Sequence, residues 1–393
     1  MHENEASPVI CVYNDSLETR ITFPEDGLCD FVIYASIYYS HEENVARGRS
    51  EQEHINGTLE DFSRASKLYQ KTLFLAGFPS EYVNEPHMIA SRGFGRAIGE
   101  FHRSTKNRGH GVFYLVGTFM ELQTAVPKLR LFFLSLIAQM RLSIGDSFIA
   151  FFGLTLVDTG DYFDIIGTAE AIKDVSENLN LIIVRSDIVQ FGDAICDQLP
   201  LSMWRPSQSS LNATPSTITH SKLIVERLTD LRGTVVAMSS SLALKVYNST
   251  AADSTQTDEA SASNSSSVHS ACAVDFLCIA EACNQTGFVD RANAQVGDGA
   301  HYERHTNAQN MTVIRTYESE STILRTIGSV VSEMPKNSEA IFGWALVDMN
   351  YEDSVGHKCP VYAESEASFA RTRAVRQVML KREGYELRKL LHI

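Results

Sequence analysis

The sequence predicts an α/β protein: a (β/α)8 TIM barrel with an insertion between strands 7 and 8. Three observations carry this. Eight short runs of apolar, β-branched and aromatic residues recur along the 393-residue chain, as in strands buried on both faces. Stretches with helical spacing separate them. One late segment, dominated by Ser, Thr, Ala, Asn and Asp, breaks the rhythm.

Taken in order, residues 8–14 read as a first strand and 31–39 as a second. Leu59, Phe62, Ala65, Leu68 and Tyr69 have helical spacing. Residues 71–78 form a third strand, stopped by Pro79. A helix around 87–105 leads into the fourth strand, 110–120. Pro127 is placed to open a helix running to about Ser143. A fifth strand follows at 147–157, a helix near 165–177 and a sixth strand at 179–189. A Pro-containing loop precedes a helix at 217–231, and 233–247 read as the seventh strand. The eighth is 339–349, after a helix at 320–333. Eight such units make the barrel count, and 6–393 read as one barrel domain. Residues 249–270 lack large apolar side chains and are expected to be a flexible loop. With the rest of 249–315 they form the insertion.

The hydrophobic content of 44% supports a large core. The net charge of −14, without a Lys/Arg cluster, argues against nucleic acid and against an anionic membrane surface. The longest apolar candidate, Leu129 to Met140, is too short for a membrane span. The opening residues, Met-His-Glu-Asn-Glu-Ala-Ser-Pro, contain no signal-peptide pattern. Against that stand seven sequons, at Asn14, Asn56, Asn212, Asn248, Asn264, Asn284 and Asn310, where about three would arise by chance. The expectation is an extracellular, secreted glycoprotein whose signal peptide is not present in this chain. None of the seven cysteines has C-x-x-C spacing, so neither zinc nor another cofactor is expected.

Ile10-Cys11-Val12-Tyr13, Leu28-Cys29-Asp30-Phe31-Val32-Ile33-Tyr34-Ala35, Lys71-Thr72-Leu73, Asp161-Tyr162-Phe163-Asp164-Ile165, Leu181-Ile182-Ile183-Val184 with Asp187, Ala282-Cys283, Tyr317-Glu318 and Gly343-Trp344-Ala345-Leu346 with Asp348 follow one another in a familiar order. The chain resembles a divergent family 18 glycoside hydrolase, the chitinase and chitinase-like group, and more narrowly the secreted chitinase-like proteins of arthropods. The resemblance implies a Cys11–Cys29 disulfide, which adjacent first and second strands also favour. It further implies a Cys283–Cys359 bridge. Cys272 and Cys278 form a less defined local pair, and Cys196 is left over.

The family's fourth strand carries Asp-x-x-Asp-x-Asp-x-Glu. There the Glu protonates the glycosidic oxygen and the preceding Asp holds the substrate's acetamido group. In this chain those positions fall on His110, Phe113, Leu115 and Gly117. The expected reading is therefore a pseudoenzyme with no catalytic residue. Its partners would be a chitin-like oligosaccharide or an extracellular protein. Two alternatives stand beside it: an active glycosidase with a relocated acid, Glu121 or Asp158, and a growth-factor-like or host-interaction protein that binds no sugar.

Candidate ligand contacts are weighed against plain packing. Trp344 matches the family's stacking Trp, at even odds with a core Trp. Asp187 ends a buried strand, where a carboxylate more often caps the next helix. Tyr13, Tyr34 and Tyr114 could floor a sugar pocket, but barrel packing is the preferred reading. Asp158, Asp161 and Asp164 read better as a helix start than as a cation site. His301 and His305 lack a third ligand, and Ser36 lacks a triad context; no metal is expected.

Overall fold

The computed structural model describes residues 7–13, 21–35, 37–40, 43, 45–47, 58–156, 162–187, 202–204, 217–249, 273–277, 289–290, 300–306, 312–335, 338–352 and 367–380. Eight parallel strands close a barrel. They are β1 (Val9–Tyr13), β2 (Phe31–Tyr34), β3 (Leu73–Phe78), β4 (Gly109–Gly117), β5 (Ile149–Leu156), β6 (Leu181–Val184), β7 (Val235–Ser241) and β8 (Ile341–Val347). Each pairs with its neighbour in sequence, and β8 closes on β1 through Val9 beside Trp344. Among the described residues, the helices of ten or more residues that accompany them are α1 (Thr58–Leu68), α2 (Arg92–Thr105), α3 (Phe119–Ile144), α4 (Tyr162–Val175), α5 (Ile218–Arg227), α6 (Glu320–Glu333) and α7 (Ala370–Leu380).

Alternation along the strands divides the core in two. Ile10, Val12, Ile33, Leu75, Phe113, Phe151, Ile183, Ala237 and Ala345 fill the inside of the barrel. Cys11, Tyr13, Tyr34, Phe74, Phe152, Met238, Trp344 and Leu346 face the helix layer. Along the barrel strands other than β4, parity therefore assigns residues to the lumen or the outer layer.

On β4 that parity breaks. Val112 pairs with Phe152 and Leu115 with Leu154, so two residues stand opposite Gly153 alone. This is a β-bulge. Phe113 faces the lumen, whereas Leu115 packs against the outer cluster. The expected alignment put Phe113, Leu115 and Gly117 on one face; the bulge separates them.

Several expected boundaries move. The 233–247 run is two strands in different sheets: β7 of the barrel, and Leu244–Ser249 of a five-stranded antiparallel sheet. That sheet has the order Ala273–Leu277, Leu244–Ser249, Thr312–Tyr317, His301–Thr306, Val289–Asp290. No Gly or Pro marks the break at Leu242-Ala243, so a continuous apolar pattern conceals it. The 31–39 run likewise splits into β2 and a short strand, Tyr38–Ser40, paired with Val45–Arg47. Pro127 does not open its helix. α3 starts eight residues earlier, where Thr118 and Glu121 form a reciprocal capping box: Thr118 N–H donates to Glu121 Oε2 at 2.7 Å and Glu121 N–H to Thr118 Oγ1 at 3.3 Å. Two orphan donors satisfied together define that start.

Cys11 and Cys29 are disulfide-bonded, with Cα atoms 6.0 Å apart. The other cysteines, Ser36, Asp158, Asp161 and the sequons other than Asn248 lie outside the described residues, as does 249–270 except for Ser249. Asn248 lies on a strand of the second sheet.

Candidate functional site

The C-terminal ends of the strands form the barrel mouth, where TIM-barrel sites are built. At the end of β6 the lumen-facing parity passes to Arg185, whose guanidinium lies over the Phe113 ring, 5.9 Å from its centroid. Arg185 Nε donates to Asp187 Oδ1 at 3.0 Å and Nη2 to Oδ2, a bidentate pair that is almost fully buried. Ser239 on β7 donates to the same Asp187 Oδ1 at 3.0 Å. Ser241, two residues on, donates to Asp348 just beyond β8. Asp348 lies 4.0 Å from Arg185 Nη2 and has left-handed backbone, φ 61°.

The second sheet closes over this group. Its Lys245 is buried and has its pKa pushed down to about 8 by burial, against the pull of Asp187 and Asp348. Glu318 follows the Thr312–Tyr317 strand and is also buried. It accepts from Ser202 Oγ and from Ser241 N–H, each at 2.9 Å. Burial raises Glu318 to about 8, with the nearby Asp187 charge adding to the effect. Glu318 therefore holds its proton at neutral pH, as a carboxyl in a dry site does. Arg371 at the start of α7 pins the same corner: it donates to the carbonyls of Glu318 and Leu242, each at 2.9 Å, and pairs with Glu352.

Chemically this is a closed knot. Asp187 and Asp348 are held beside Arg185, and Glu318 is 1% exposed. Asp187 is 2% exposed and Asp348 8%, and an acid must reach to about 3 Å from a glycosidic oxygen to protonate it. Glu121, an exposed carboxylate at the same end of the barrel, is engaged at the cap of α3.

The expected ligand residues are placed elsewhere. Trp344 is fully buried in the outer layer, with Nε1 donating to Ser240 Oγ at 3.3 Å. The parity of β8 sets the ring among the outer-layer side chains, with Ala345 facing the lumen. Tyr13 and Tyr34 also face outward; their hydroxyls bond Thr22 O at 3.0 Å and Thr58 Oγ1 at 3.3 Å. The side chain of Tyr114 lies outside the description. Asp187 is at the mouth, but its carboxylate is spent on Arg185 and Ser239. His110 lies in the outer layer against Phe78 and Phe101, hydrogen-bonded to Asn107 and Ala76 O. Burial drives its pKa down to about 3. His301 stacks on Tyr317 and bonds Ser319. Among the described residues no cluster of His, Cys, Asp and Glu could hold a metal ion.

Sequence reasoning did not find Arg185, Lys245 or the role of Glu318. The available signal was the run Ser239-Ser240-Ser241 in an otherwise apolar buried strand. Hydroxyls there need partners: Ser239 and Ser241 find theirs in the carboxylates of the knot, and Ser240 accepts from Trp344 Nε1.

No family model matches the chain, and no curated protein matches it. Solved structures do. An immunomodulatory active chitinase from Trichuris suis superposes with a TM-score of 0.62 at 10% identity, over 95% of this chain and 100% of that one. Human YKL-39, described as a pseudo-chitinase with retained chitooligosaccharide binding, gives 0.63 at 13%, over 95% and 99%. The second catalytic domain of the Ostrinia furnacalis Group II chitinase gives 0.63 at 14%, over 97% and 98%. At such identity the likeness concerns the fold: this chain shares the barrel of active chitinases and of a pseudo-chitinase alike.

Proposed function

We propose that this chain is a secreted chitinase-like protein without hydrolase activity, acting outside the cell by binding an oligosaccharide or a protein. The observation that carries the reading is the mouth end of β4. Its lumen-facing residues by parity are Phe113 and, past the bulge that turns Leu115 outward, Val116, and no carboxylate stands between His110 and Met120. General acid catalysis contributes roughly two to four orders of magnitude, and electrostatic stabilisation of the transition state often contributes more. The Cys11–Cys29 bridge supports an oxidising compartment, as do the sequons. The likeness to YKL-39 supports chitooligosaccharides as the first ligands to try.

The experiment pairs turnover with calorimetry on chitin oligomers. No chitobiose release above background is expected. Heat of binding without turnover would identify a sugar-binding factor; silence in both assays would favour a protein ligand. Turnover abolished by removing a single carboxylate would sink the proposal.

A further inference from the structure

α3 is apolar on two sides. Leu122, Leu129, Phe132, Phe133, Leu136 and Met140 bury one side against the barrel. The flanks of the helix are occupied as well. Gln139 and Ser143 bond the carbonyls of Ala90 and Gly95 at the α2 side. A Cβ on Gly95 would stand 2.0 Å from Gln139 Oε1, so the two helices are in close contact. On the other side the Phe119 ring closes on Gly167 of α4.

The remaining face is exposed and carries large apolar side chains among its polar ones. Met120 is 64% accessible, Leu131 55%, Leu134 57% and Leu142 83%. With exposed Thr124, Pro127 and Ala138 they follow one another in steps of four and three. That is the spacing of a coiled-coil seam, here about 33 Å long at 1.5 Å per residue. Scattered surface leucines need no explanation, whereas a continuous stripe marks an interaction site.

The rim is basic. Lys128 and Arg130 are exposed beside the stripe, Lys128 donating to Asn84 Oδ1 at 3.0 Å; Arg141, also exposed, pairs with Asp146 at 3.1 Å; and Arg92, Arg96 and Arg103 are exposed on the neighbouring α2. Residues 92–146 hold eight Lys/Arg and three Asp/Glu in a chain of net charge −14. The overall balance conceals this local excess. A second copy is a poor occupant: an antiparallel pair of α3 helices centred on Leu131 sets Arg130 against Arg130. A bilayer needs no seam at heptad spacing.

We propose that the solvent face of α3 is a docking surface for one amphipathic helix of a partner protein, apolar along a single stripe and acidic at its rims. Leu131 and Leu134 form the centre of the contact, and Lys128 and Arg130 select the partner by charge.

Two synthetic helical peptides test this by fluorescence anisotropy with the full chain. Both carry Leu at heptad a and d positions; one has Glu at e and g, the other Lys. The Glu peptide is expected to bind at least about tenfold more tightly, and added salt should weaken it. Leu131→Glu with Leu134→Glu should cost at least about tenfold in affinity, with the circular dichroism and melting curve unchanged because both side chains are exposed. Lys128→Glu with Arg130→Glu should reverse the preference between the peptides. Equal affinity for the two peptides, or none for either, overturns the proposal. So does a dimer in sedimentation that the leucine substitutions dissolve, which would make the occupant a second copy. Binding to phosphatidylserine vesicles without binding to the Glu peptide would make it a bilayer.

Discussion

At its mouth end β4 carries Phe113, Leu115, Val116 and Gly117; β6, β7 and β8 lead into Arg185, Asp187, Ser239, Ser241 and Asp348. The first region has no acid. The second has Asp187 and Asp348, with Glu318 brought in by the second sheet, yet they are buried and bonded to Arg185, Ser202, Ser239 and Ser241. The two regions share a place in the fold and differ in what replaces solvent: rings and methyls in one, counter-charges in the other. A carboxylate at a barrel mouth is thus not by itself chemistry. Access and pairing decide whether its proton can reach a substrate.

The largest expected effect comes from breaking the ion-pair knot. Arg185→Met leaves Asp187 buried without its bidentate partner, which costs roughly 3–5 kcal/mol of stability. Urea denaturation at pH 7 measures it. Arg185→Met with Asp187→Leu should recover much of the loss, because no buried charge is then left alone. A single substitution costing under about 1 kcal/mol would mean that water reaches the pair, and the contrast with β4 would fail.

The barrel was legible because eight apolar runs with helices between them admit few other arrangements. Strand faces were less so. Trp344 and Ala345 sit on opposite sides of one strand, and a strand that is apolar throughout does not announce which side is the lumen. The bulge at Phe113 has no Gly or Pro to mark it and becomes visible only in the pairing with β5. The knot was hidden for another reason. Arg185 and Glu318 are 133 residues apart in sequence numbering, and no local pattern couples them. The capping box, by contrast, is local: Thr118-Phe119-Met120-Glu121 is readable as a helix start, and Pro127, a residue type favoured at the first helical turn, competes with it as a start signal.

The pH response separates the regions at intermediate scale. Glu318 has its folded-state pKa raised to about 8. It binds a proton that the unfolded chain has already lost, so its contribution is full below the ordinary carboxylate range and is lost as pH rises through 8. His110 behaves oppositely: its folded pKa of about 3 makes stability fall as pH drops from the ordinary imidazole range toward 3. Lys245, lowered to about 8, adds stability again as pH rises above 8. Stability should therefore decline between about pH 6 and 8, and Glu318→Gln should flatten that decline while leaving the limb below the ordinary carboxylate range intact. A decline unchanged in the Gln variant would show that Glu318 ionises freely and is not held in a dry site.

The smallest expected effect is also the sharpest for function. Glu121 is the one exposed carboxylate that follows directly from β4, and the alternative of a relocated acid depends on it or on Asp158. Its carboxylate accepts from Thr118 N–H at 2.7 Å at the start of α3. Gln fills the same place in a capping box, so Glu121→Gln gives up only a charge near a helix N-terminus, roughly 0.3–1 kcal/mol. Glu121→Ala also loses the bond to Thr118 N–H and should cost more. Neither variant should alter hydrolysis of chitin oligomers, because a side chain turned back onto its own helix cap does not reach a substrate oxygen. Were Glu121 a working acid, the Gln variant would instead lose about two or more orders of magnitude in kcat while its stability barely changed. That pattern, turnover lost without stability lost, would place the chemistry at β4 after all and erase the distinction between the two ends of the mouth.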